Sequence, residues 1–367
     1  MVQTLTSHVR AFRERAGLRP GDLARQVGVT RQALHSIETG AYVPNTLIAL
    51  HLARVLNCTV EDLFQQQQAP LRVKVMNGVT PGSRVHLAQL NGQYLAFPAM
   101  ALGEQADGLA DVDASGSTHV NLFTNLDVPR RTAIIAGCDP SLALLSTHVS
   151  RYQPDLRLLL HAMSSLEALR AVARGEAHAA GIHLWDASTG QSNLPFVQRE
   201  LPGRATQLFT LWSWEQGLMV QRGNPHDLQS VLDLRRPGVR LVNREAGAGS
   251  RVLLDAWLDA ANITRRARQG ISGYAHEVTS PLLAAQTVAS GAADVAPGPK
   301  SAALACGLEF IPVQTERFDL VVPDEFVNHP GLLALLNVVG QPAFRAELQS
   351  LGGYDPTHAG ERWQTTA

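Results

Sequence analysis

The sequence is short of several residue types, and each shortage excludes a class of protein. Cysteine occurs only at Cys58, Cys138 and Cys306, which are far apart and form no CxxC pair, so neither a disulfide framework nor a metal site is expected. Lysine occurs only at Lys74 and Lys300, and the formal net charge is −1, so the chain as a whole does not attract nucleic acid. Any DNA contact must therefore come from a local surface.

Long apolar runs are also missing. No stretch approaches the ~20 consecutive apolar residues that a membrane span requires, so no membrane partner is expected. The first residues, MVQTLTSHVRAFRERAG, lack the charged and then apolar pattern of a secretion signal. With so few cysteines, the expected location is the reducing cytoplasm. The 367 residues, of which 45% are apolar, are enough for two or three folded domains.

The first 64 residues contain four helical segments joined by short turns. Gly28 marks one turn, and Thr30 after it is a natural N-cap for the third helix. Helix, short glycine turn and helix is the pattern of a helix-turn-helix DNA-binding module. We predict helices at 9–16, 20–27, 30–38 and 47–56, the last with Leu47, Leu50, Ala53 and Val55 at its apolar positions.

The run LARQVGVTRQALHSIETGAYVPNTLIALHLARVL resembles the lambda-repressor-like (Xre-type) DNA-binding family almost from end to end. The resemblance implies that the helix at 30–38 enters the major groove of a double-stranded operator, and the mildly basic character of 1–64 favours a homodimer. Arg31, Gln32 and Ser36 would face base edges, where Arg can read guanine and Gln adenine. The same side chains also fit an ordinary solvated helix face. Near the phosphates or the groove edge would lie Arg19, Thr30, Tyr42 and Asn45.

A linker and a small β-rich module follow these helices. The polar run QQQQAP at 65–70 has no apolar periodicity and is interpreted as the linker. Short strand-like runs fill 71–130, and Asn91-Gly92 between two of them is a strong hairpin signal. We interpret 71–130 as a connector module with a connecting or dimerising role.

From residue 131 onward, short apolar strands alternate with helices. This pattern predicts an α/β fold with largely parallel sheets, and two such blocks indicate two lobes with a ligand cleft between them. The run at 239–242 is predicted to be a strand and 297–300 a turn, whereas 308–313 and 317–322 are predicted to be two separate strands.

A glycine-rich stretch, VRLVNREAGAGSRVLLDAWL, is central to the predicted cleft. Gly247 and Gly249 allow a tight turn and close approach of a ligand, and a helix begins near Ser250. The free N–H groups and partial positive charge of a helix start favour an anion. The alternative is that the glycines only make a turn and Ser250 only caps the helix.

Several motifs together resemble the cytoplasmic "PBP-like" domain, which is similar to type II periplasmic solute-binding proteins, notably the molybdate-binding ones. They are GCDPSLALL, SSLEALRAVARGEAHAAGIHLWDASTGQSN, GLMVQRGNP, VNREAGAGSRVLLD, VASGAADVAPG and FIPVQTERFDLVV. The resemblance implies a two-lobed sensor of molybdate, tungstate or a molybdopterin-related compound, without a resident cofactor. The chain departs from the family pattern at Val278-Thr279-Ser280-Pro281, where a Thr-His pair is expected, and at Pro297-Gly298-Pro299.

The expected fold is therefore multidomain, with an all-α helix-turn-helix bundle at 1–64, the β-rich connector and a two-lobed α/β domain at 131–367. Neutral donors at helix starts would hold the ligand, and Arg251 could add charge unless it pairs with Asp255 at i+4. His183 is interpreted as a core or hinge residue. Cys138, near a helix start, could have a lowered pKa, but the usual burial of cysteine favours a buried structural thiol. The candidate ligand-binding residues are Ser141, Ser165, Gly249, Ser250 and Arg251, with Asn243, Thr279 and Glu316 as weaker candidates.

Two functions fit these observations. The first is a ligand-responsive regulator of transcription without catalytic residues, because the sequence has no P-loop lysine and no GxSxG elbow. The second is an enzyme or carrier of molybdenum-cofactor metabolism, in which the N-terminal helices are only a partner module. Loss of operator binding after substitution of Arg31 and Gln32 would favour the first.

Overall fold

The computed structural model describes residues 5–66, 70–100, 103–112 and 116–366. The chain divides into two compact units. The first covers Met1–Leu71 with Val120–Leu122, and the second covers Arg72–His119 with Phe123–Ala367. The expected architecture, a helical helix-turn-helix region followed by an α/β domain, is confirmed.

The first unit is a bundle of short helices closed by a two-stranded sheet. Gly28 ends the second helix with a left-handed backbone (φ 78°), which allows the tight turn that the sequence predicts. The polar linker predicted at 65–70 begins inside a strand, and its residues 67–69 lie outside the described residues. The elements are β1 (Leu5–Ser7), α1 (Val9–Arg15), α2 (Pro20–Val27), α3 (Arg31–Glu38), α4 (Thr46–Leu56), α5 (Val60–Leu63) and β2 (Phe64–Gln66).

The buried face of α4 agrees only in part with the predicted one, since Ala53 is buried and Val55 half-buried as expected but the two leucines are not. Leu47 and Leu50 are 62% and 50% exposed, whereas Ala49, Leu52 and Leu56 are buried in the core. All five residues are apolar, so the helical period alone did not decide which row faces inward.

A buried ion pair joins α1 to α3. Arg13 Nε donates to Glu38 Oε1 over 2.6 Å, and both side chains are less than a tenth exposed. Arg13 also donates to the carbonyl of Leu18, so the buried guanidinium has several partners. Removing one member would leave an uncompensated buried charge, so this pair holds the third helix in place.

Most of the β-rich module belongs to the second unit, whereas its residues Leu71 and Val120–Leu122 group with the first. The hairpin predicted at Asn91-Gly92 is present, because β5 and β6 pair antiparallel on either side of it and both residues have positive φ. Leu90 and Leu95 share one core with the first strands of the α/β domain. The elements are β3 (Leu71–Arg72), β4 (Lys74–Val75), β5 (Arg84–Leu90), β6 (Gln93–Pro98), β7 (Gly108–Val112), β8 (Thr118–Leu122) and α6 (Asp127–Arg131).

The α/β domain is built on one eight-stranded sheet. Its first elements are β9 (Thr132–Gly137), α7 (Leu142–Tyr152), β10 (Arg157–Ala162), α8 (Ser165–Ala173), β11 (Ala179–Ile182), β12 (Trp185–Asp186), β13 (Gln191–Ser192), α9 (Leu194–Glu200) and β14 (Thr206–Val220). After a 3-10 turn at Val231–Arg235 come β15 (Asn243–Arg244), α10 (Gly249–Ala260), α11 (Arg265–Arg268), β16 (Glu277–Val278), α12 (Pro281–Ala289), β17 (Val295–Pro299), α13 (Lys300–Ala305) and β18 (Glu309–Pro323). After a 3-10 turn at Asp324–Phe326 the chain ends with α14 (Pro330–Val339), α15 (Pro342–Ser350), β19 (Tyr354–Asp355) and β20 (Arg362–Thr366).

The sheet is mixed, which corrects the prediction of largely parallel sheets. β10, β9 and β11 are parallel, but β18, β14 and β17 continue the sheet through antiparallel pairs. The predicted turn at 297–300 is wrong, because β17 runs to Pro299 and α13 begins at Lys300. β17 ends the main strand order, and an edge strand tolerates prolines because one row of its N–H groups need not pair.

Two long strands, β14 and β18, connect the two lobes. Each has 15 residues, and they pair antiparallel along almost their whole length. The two strands predicted at 308–313 and 317–322 are thus one, because pairing with β14 continues through the polar residues between them. Trp212, Trp214 and Phe318 lie in the core of the first lobe, and Leu218 lies in the core of the second. The pairing shifts register between Gln216 and Gly217, at the passage from one lobe to the other.

The strand predicted at 239–242 is reduced to a single parallel bridge between Leu241 and Val295, and the strand β15 starts only at Asn243. The apolar run is still buried, in the core of the second lobe with Leu253 and Trp257 of α10. None of the described helices combines the length and the apolar character that a membrane crossing needs.

His178 should make stability depend on acid. Its buried Nδ1 accepts from the backbone N–H of Ile134, and burial with the nearby His329 lowers the pKa of His178 to about 3. Below about pH 6.5 this histidine is protonated in the unfolded chain but stays neutral in the folded chain. The contribution of His178 to the free energy of unfolding is therefore complete above that pH and declines below it. We expect a loss on the order of 1 kcal/mol per pH unit between about 6.5 and 4.

Urea unfolding from pH 4 to 8 measures this loss. In His178→Gln, which keeps a hydrogen-bond acceptor, the slope should become shallower, whereas the exposed-site control His358→Gln should behave as the unmodified chain does. Equal slopes in the unmodified chain and His178→Gln would contradict the assignment.

Candidate functional site

The starts of two helices from opposite lobes meet face to face. Leu166 N in α8 donates to the carbonyl of Gly247, one turn before α10, over 3.2 Å. A Cβ on Gly249 would lie 2.1 Å from the carbonyl oxygen of His183, so the backbones are in direct contact. We call this region the interlobe seam, and it comprises residues 164–166, 183, 214–216 and 247–250.

The predicted donors Ser165, Gly249 and Ser250 all lie in the seam, but both hydroxyls already have partners. Ser165 Oγ accepts from His183 N, and Ser250 Oγ donates to Gln216 Oε1 over 3.1 Å. Ser250 does not cap α10, because that helix begins at Gly249 without a side-chain cap. Both hydroxyls therefore help to close the seam.

Two buried donors in the seam have no acceptor. Trp214 Nε1 and Gln216 Nε2 make no hydrogen bond within the part of the chain that the structure describes. Both side chains are almost wholly buried and lie on the same face of β14. Unpaired buried donors are costly, so these two atoms are the feature of the seam that most needs an explanation. Sequence reasoning missed both, although their i, i+2 spacing with Trp212 is the signal of a strand face.

A chain of three side chains is centred on the seam residue His183. Cys138 Sγ lies 3.7 Å from His183 Nε2, and His183 Nδ1 lies 2.8 Å from Glu316 Oε2. Burial lowers the pKa of His183, but its hydrogen bonds to Cys138 and Glu316 outweigh this and raise it to about 10. His183 is thus buried, as the sequence predicts, but it has two polar partners. The carboxylate of Glu316, a weaker ligand-binding candidate, is hydrogen-bonded to His183.

Ser141 lies at a separate cavity of about 520 Å³ between α7 and α13, which Ser301 and Tyr354 also line. Its hydroxyl makes no hydrogen bond of normal geometry to any residue that the structure describes, although it lies beside the carboxyl of Asp139 and the phenol of Tyr354. Asp139 accepts from Ser141 N, Trp212 Nε1 and Tyr354 Oη. Burial raises the pKa of the Asp139 carboxyl above its ordinary value, and these hydrogen bonds offset only part of the rise.

The candidates Asn243, Arg251 and Thr279 form a different cluster, within the second lobe. Arg251 pairs with Asp255 over 3.3 Å and with Glu277 over 3.0 Å, and its guanidinium stacks 4.3 Å from the ring centroid of Tyr274. Its charge is therefore already balanced. Asn243 is buried and donates to a backbone carbonyl, whereas Thr279 is exposed. Neither is brought to the seam.

In the first unit, two of the predicted DNA contacts act as helix caps. Thr30 Oγ1 accepts from Ala33 N and Asn45 Oδ1 from Ile48 N, so these side chains start α3 and α4. Arg19, Arg31, Gln32 and Tyr42 are exposed, and Ser36 is half-buried. His35, which sequence reasoning missed, is exposed and lines one surface groove with Arg31 and Gln32. Its i+4 spacing from Arg31 is the available signal.

Comparison with known families agrees with this architecture. A family model described as a PBP superfamily domain matches residues 146–340, which is more than half of the chain. The chain belongs to the PBP superfamily. A helix-turn-helix domain model matches residues 4–64 ahead of this PBP domain. A helix-turn-helix domain fused to a PBP domain is the architecture of a ligand-sensing, DNA-binding regulator.

Individual relatives cover the two parts separately. The chain is 34% identical over 232 residues to the Bacillus subtilis protein YvgK. The matched region covers 63% of this chain and 73% of that protein. It is 38% identical over 60 residues to an HTH-type transcriptional regulator of Archaeoglobus fulgidus, covering 16% of this chain and 86% of that one. Among solved structures, the sulfate-binding protein SubI from Mycobacterium tuberculosis H37Rv is similar at 15% identity and a TM-score of 0.45, covering 62% of this chain and 87% of that chain.

Gly249→Ala should disrupt the seam. The added Cβ would lie 2.1 Å from the carbonyl oxygen of His183 and 2.3 Å from its ring, so the lobes must move apart. We expect a loss of about 1–3 kcal/mol in urea unfolding and a larger radius of gyration in small-angle scattering. The control Gly21→Ala adds a Cβ that meets nothing within 4 Å and should change neither quantity appreciably. An unchanged radius and stability for Gly249→Ala would show that the seam is not closed in solution.

Proposed function

We propose that this chain is a cytoplasmic, homodimeric regulator of transcription whose PBP domain binds a small oxyanion, with molybdate or tungstate as the first candidates and a molybdopterin-related compound as the organic alternative. The observation that carries the ligand part is the pair of buried donors without acceptors, Trp214 Nε1 and Gln216 Nε2. The DNA part rests on the helix-turn-helix domain and on the exposed first turn of α3, with Arg31 and Gln32.

The chemistry of the seam favours recognition by neutral donors. An indole N–H and an amide NH₂ can donate to oxygen but bring no charge. The nearby cation of the second lobe, Arg251, is already paired with two carboxylates. Neutral N–H and hydroxyl donors at helix starts are sufficient to hold a buried oxyanion, because the helix start adds a partial positive charge. At the start of α10, the hydroxyl of Ser250 donates to the side-chain amide oxygen of Gln216 on β14.

Ligand binding can alter DNA affinity only if the ligand binds the closed and open lobes differently. The seam satisfies this requirement in our proposal, because its donors come from β14 while their neighbours Gly247 and Ser250 belong to the second lobe. The register shift at Gln216 and Gly217 offers a point where the two lobes can bend relative to each other. Closure in a dimer would change the spacing of the two recognition helices.

Arg31→Ala combined with Gln32→Ala tests the DNA part. The double variant should lose operator binding, with each lost bidentate base contact worth about 1–3 kcal/mol. Electrophoretic mobility shift on genomic fragments enriched by the unmodified chain measures this. The matched control is Arg265→Ala with Gln269→Ala, which removes the same two residue types from an exposed part of the second unit. Unchanged operator binding by the first variant would favour the enzyme or carrier alternative.

A thermal-shift panel with molybdate, tungstate, sulfate and phosphate tests the ligand part. An anion at about 100 times its dissociation constant should add about 2.7 kcal/mol of stability. Trp214→Phe keeps a ring but removes the donor, and should weaken binding by about 1 kcal/mol, or roughly fivefold. Ser250→Ala should also weaken it.

Trp363→Phe is the matched control for this panel, because Trp363 Nε1 also lacks a partner among the described residues but lies outside the seam. It should leave the shift intact. If no anion of the panel raises the melting temperature, the oxyanion proposal fails and the organic ligand becomes the candidate. A shift that survives Trp214→Phe and Ser250→Ala would place the anion elsewhere.

A further inference from the structure

The linear arrangement of Cys138, His183 and Glu316 has no role in the ligand proposal. The three residues come from distant parts of the chain. Cys138 follows β9, His183 follows β11, and Glu316 lies on β18 directly opposite Trp214. Sγ to Nε2 is 3.7 Å and Nδ1 to Oε2 is 2.8 Å, so the two ring nitrogens of one imidazole connect a thiol to a carboxyl group.

This is the order of groups that activates a nucleophilic thiol. The carboxylate of Glu316 accepts a hydrogen bond from Nδ1–H, which orients the ring and leaves Nε2 facing Sγ. Nε2 can then take the thiol proton, and the resulting imidazolium is stabilised by the carboxylate behind it. We propose that Cys138 is a reactive thiolate site for small electrophiles, and that its modification loosens the interlobe seam.

Accessibility supports the assignment. Cys138 is partly exposed, whereas the side chains of His183 and Glu316 are each about 2% exposed. A small reagent can therefore reach the sulfur while the base and its carboxylate stay shielded from water. The other ionisable group next to Cys138 is Asp139, whose carboxyl is occupied by Ser141, Trp212 and Tyr354.

The other two cysteines provide internal comparisons. Cys58 and Cys306 are also partly exposed, so they differ from Cys138 in their surroundings and not in simple access. Burial, together with the charge of Asp62, raises the pKa of the Cys58 thiol. Within the described ranges, neither thiol is hydrogen-bonded to a histidine as Cys138 is.

The position of His183 connects the sulfur to the second lobe. Its ring is also packed edge-to-face against Trp214, with the centroids 4.9 Å apart. A Cβ on Gly249 would lie 2.3 Å from Cε1 of the same ring, so the imidazole has no free space towards α10. A group added to Sγ occupies the 3.7 Å between sulfur and ring, and displacement of the ring then presses directly on Gly249.

The chemistry balances without a cofactor. With an alkylating agent such as iodoacetamide, Sγ attacks the methylene carbon, an S–C bond forms, the C–I bond breaks and iodide leaves. With a peroxide, Sγ attacks one oxygen and the O–O bond breaks. The departing hydroxide takes the proton from His183 and leaves as water. The sulfur is oxidised to a sulfenic acid and the peroxide is reduced.

The test measures alkylation rates in single-cysteine chains. Cys138 is kept in Cys58→Ser with Cys306→Ser, and Cys58 is kept in Cys138→Ser with Cys306→Ser. Iodoacetamide labelling is followed by intact mass from pH 5 to 10. At pH 6 we expect Cys138 to react about tenfold faster than Cys58, because the imidazole 3.7 Å from Sγ can hold the thiol proton and so raise the fraction of reactive thiolate. A Cys138 profile with an ordinary midpoint near 8.5 would overturn the proposal.

Glu316→Gln separates activation from simple packing. The amide has the same size but cannot carry the negative charge that stabilises the imidazolium. The midpoint of the Cys138 rate profile should therefore move up towards that of an ordinary thiol, while the melting temperature confirms that the variant is folded. If the variant is unfolded, His183→Gln in the same background provides the second measurement. An unmoved midpoint in a folded variant would contradict the role of the triad.

Scattering tests the effect on the seam. Alkylation of the chain that retains Cys138 should increase its radius of gyration, whereas the chain that retains only Cys58 should keep its radius after the same treatment. Hydrogen peroxide with dimedone trapping should label Cys138 preferentially. Complete modification with no change in radius would overturn the structural part of the proposal. These readouts need neither an operator nor an anion, so their failure is distinct from failure of the proposed regulator.

Discussion

The pairing of β14 with β18 is the interaction on which the second unit depends. The two strands run through both lobes, and β14 supplies residues 214–216 of the seam. Trp214 and Glu316 are directly opposite each other, and Gln216 lies two residues further along β14. Within the described ranges, this pair of strands is the only part of the main sheet that we find in the cores of both lobes. Its register therefore sets the relative positions of the two unpaired donors, of Glu316 beside the imidazole, and of the register shift between the lobes.

Charge in the seam and in the neighbouring cluster of the second lobe is almost entirely balanced, which explains why neutral groups carry the proposed recognition. Arg251 is matched by Asp255 and Glu277, and His183 by Glu316. A buried charge without a partner is expensive, so the fold pairs each of them. The groups that remain unpaired are the N–H donors of Trp214 and Gln216. Burying an unpaired neutral donor costs less free energy than burying an unpaired charge, and a ligand oxygen can accept from it. The same balance leaves Cys138 beside an imidazole that is already supplied with a carboxylate.

The helix-turn-helix unit was the part most open to prediction, because its signals are local. The turn at Gly28 and the cap at Thr30 depend on φ and on one side-chain hydrogen bond, and both are present as expected. Local rules were less informative for α4, where apolar residues surround the helix and only packing selected Leu52 over Leu50. The ion pair of Arg13 with Glu38 spans 25 positions, and no local pattern indicated it.

Local signals were sufficient to predict that a helical region precedes an α/β domain, that strands alternate with helices, and that helices begin near Ser250 and Leu166, one residue after the observed starts at Gly249 and Ser165. Long-range packing, in contrast, makes β18 a single strand, pairs Arg251 away from the seam and brings Cys138, His183 and Glu316 together. Cys138 and Glu316 are far apart in the chain, and their approach depends on sheet order and strand register. Those are set by the summed packing of two lobes, which no short window of sequence contains.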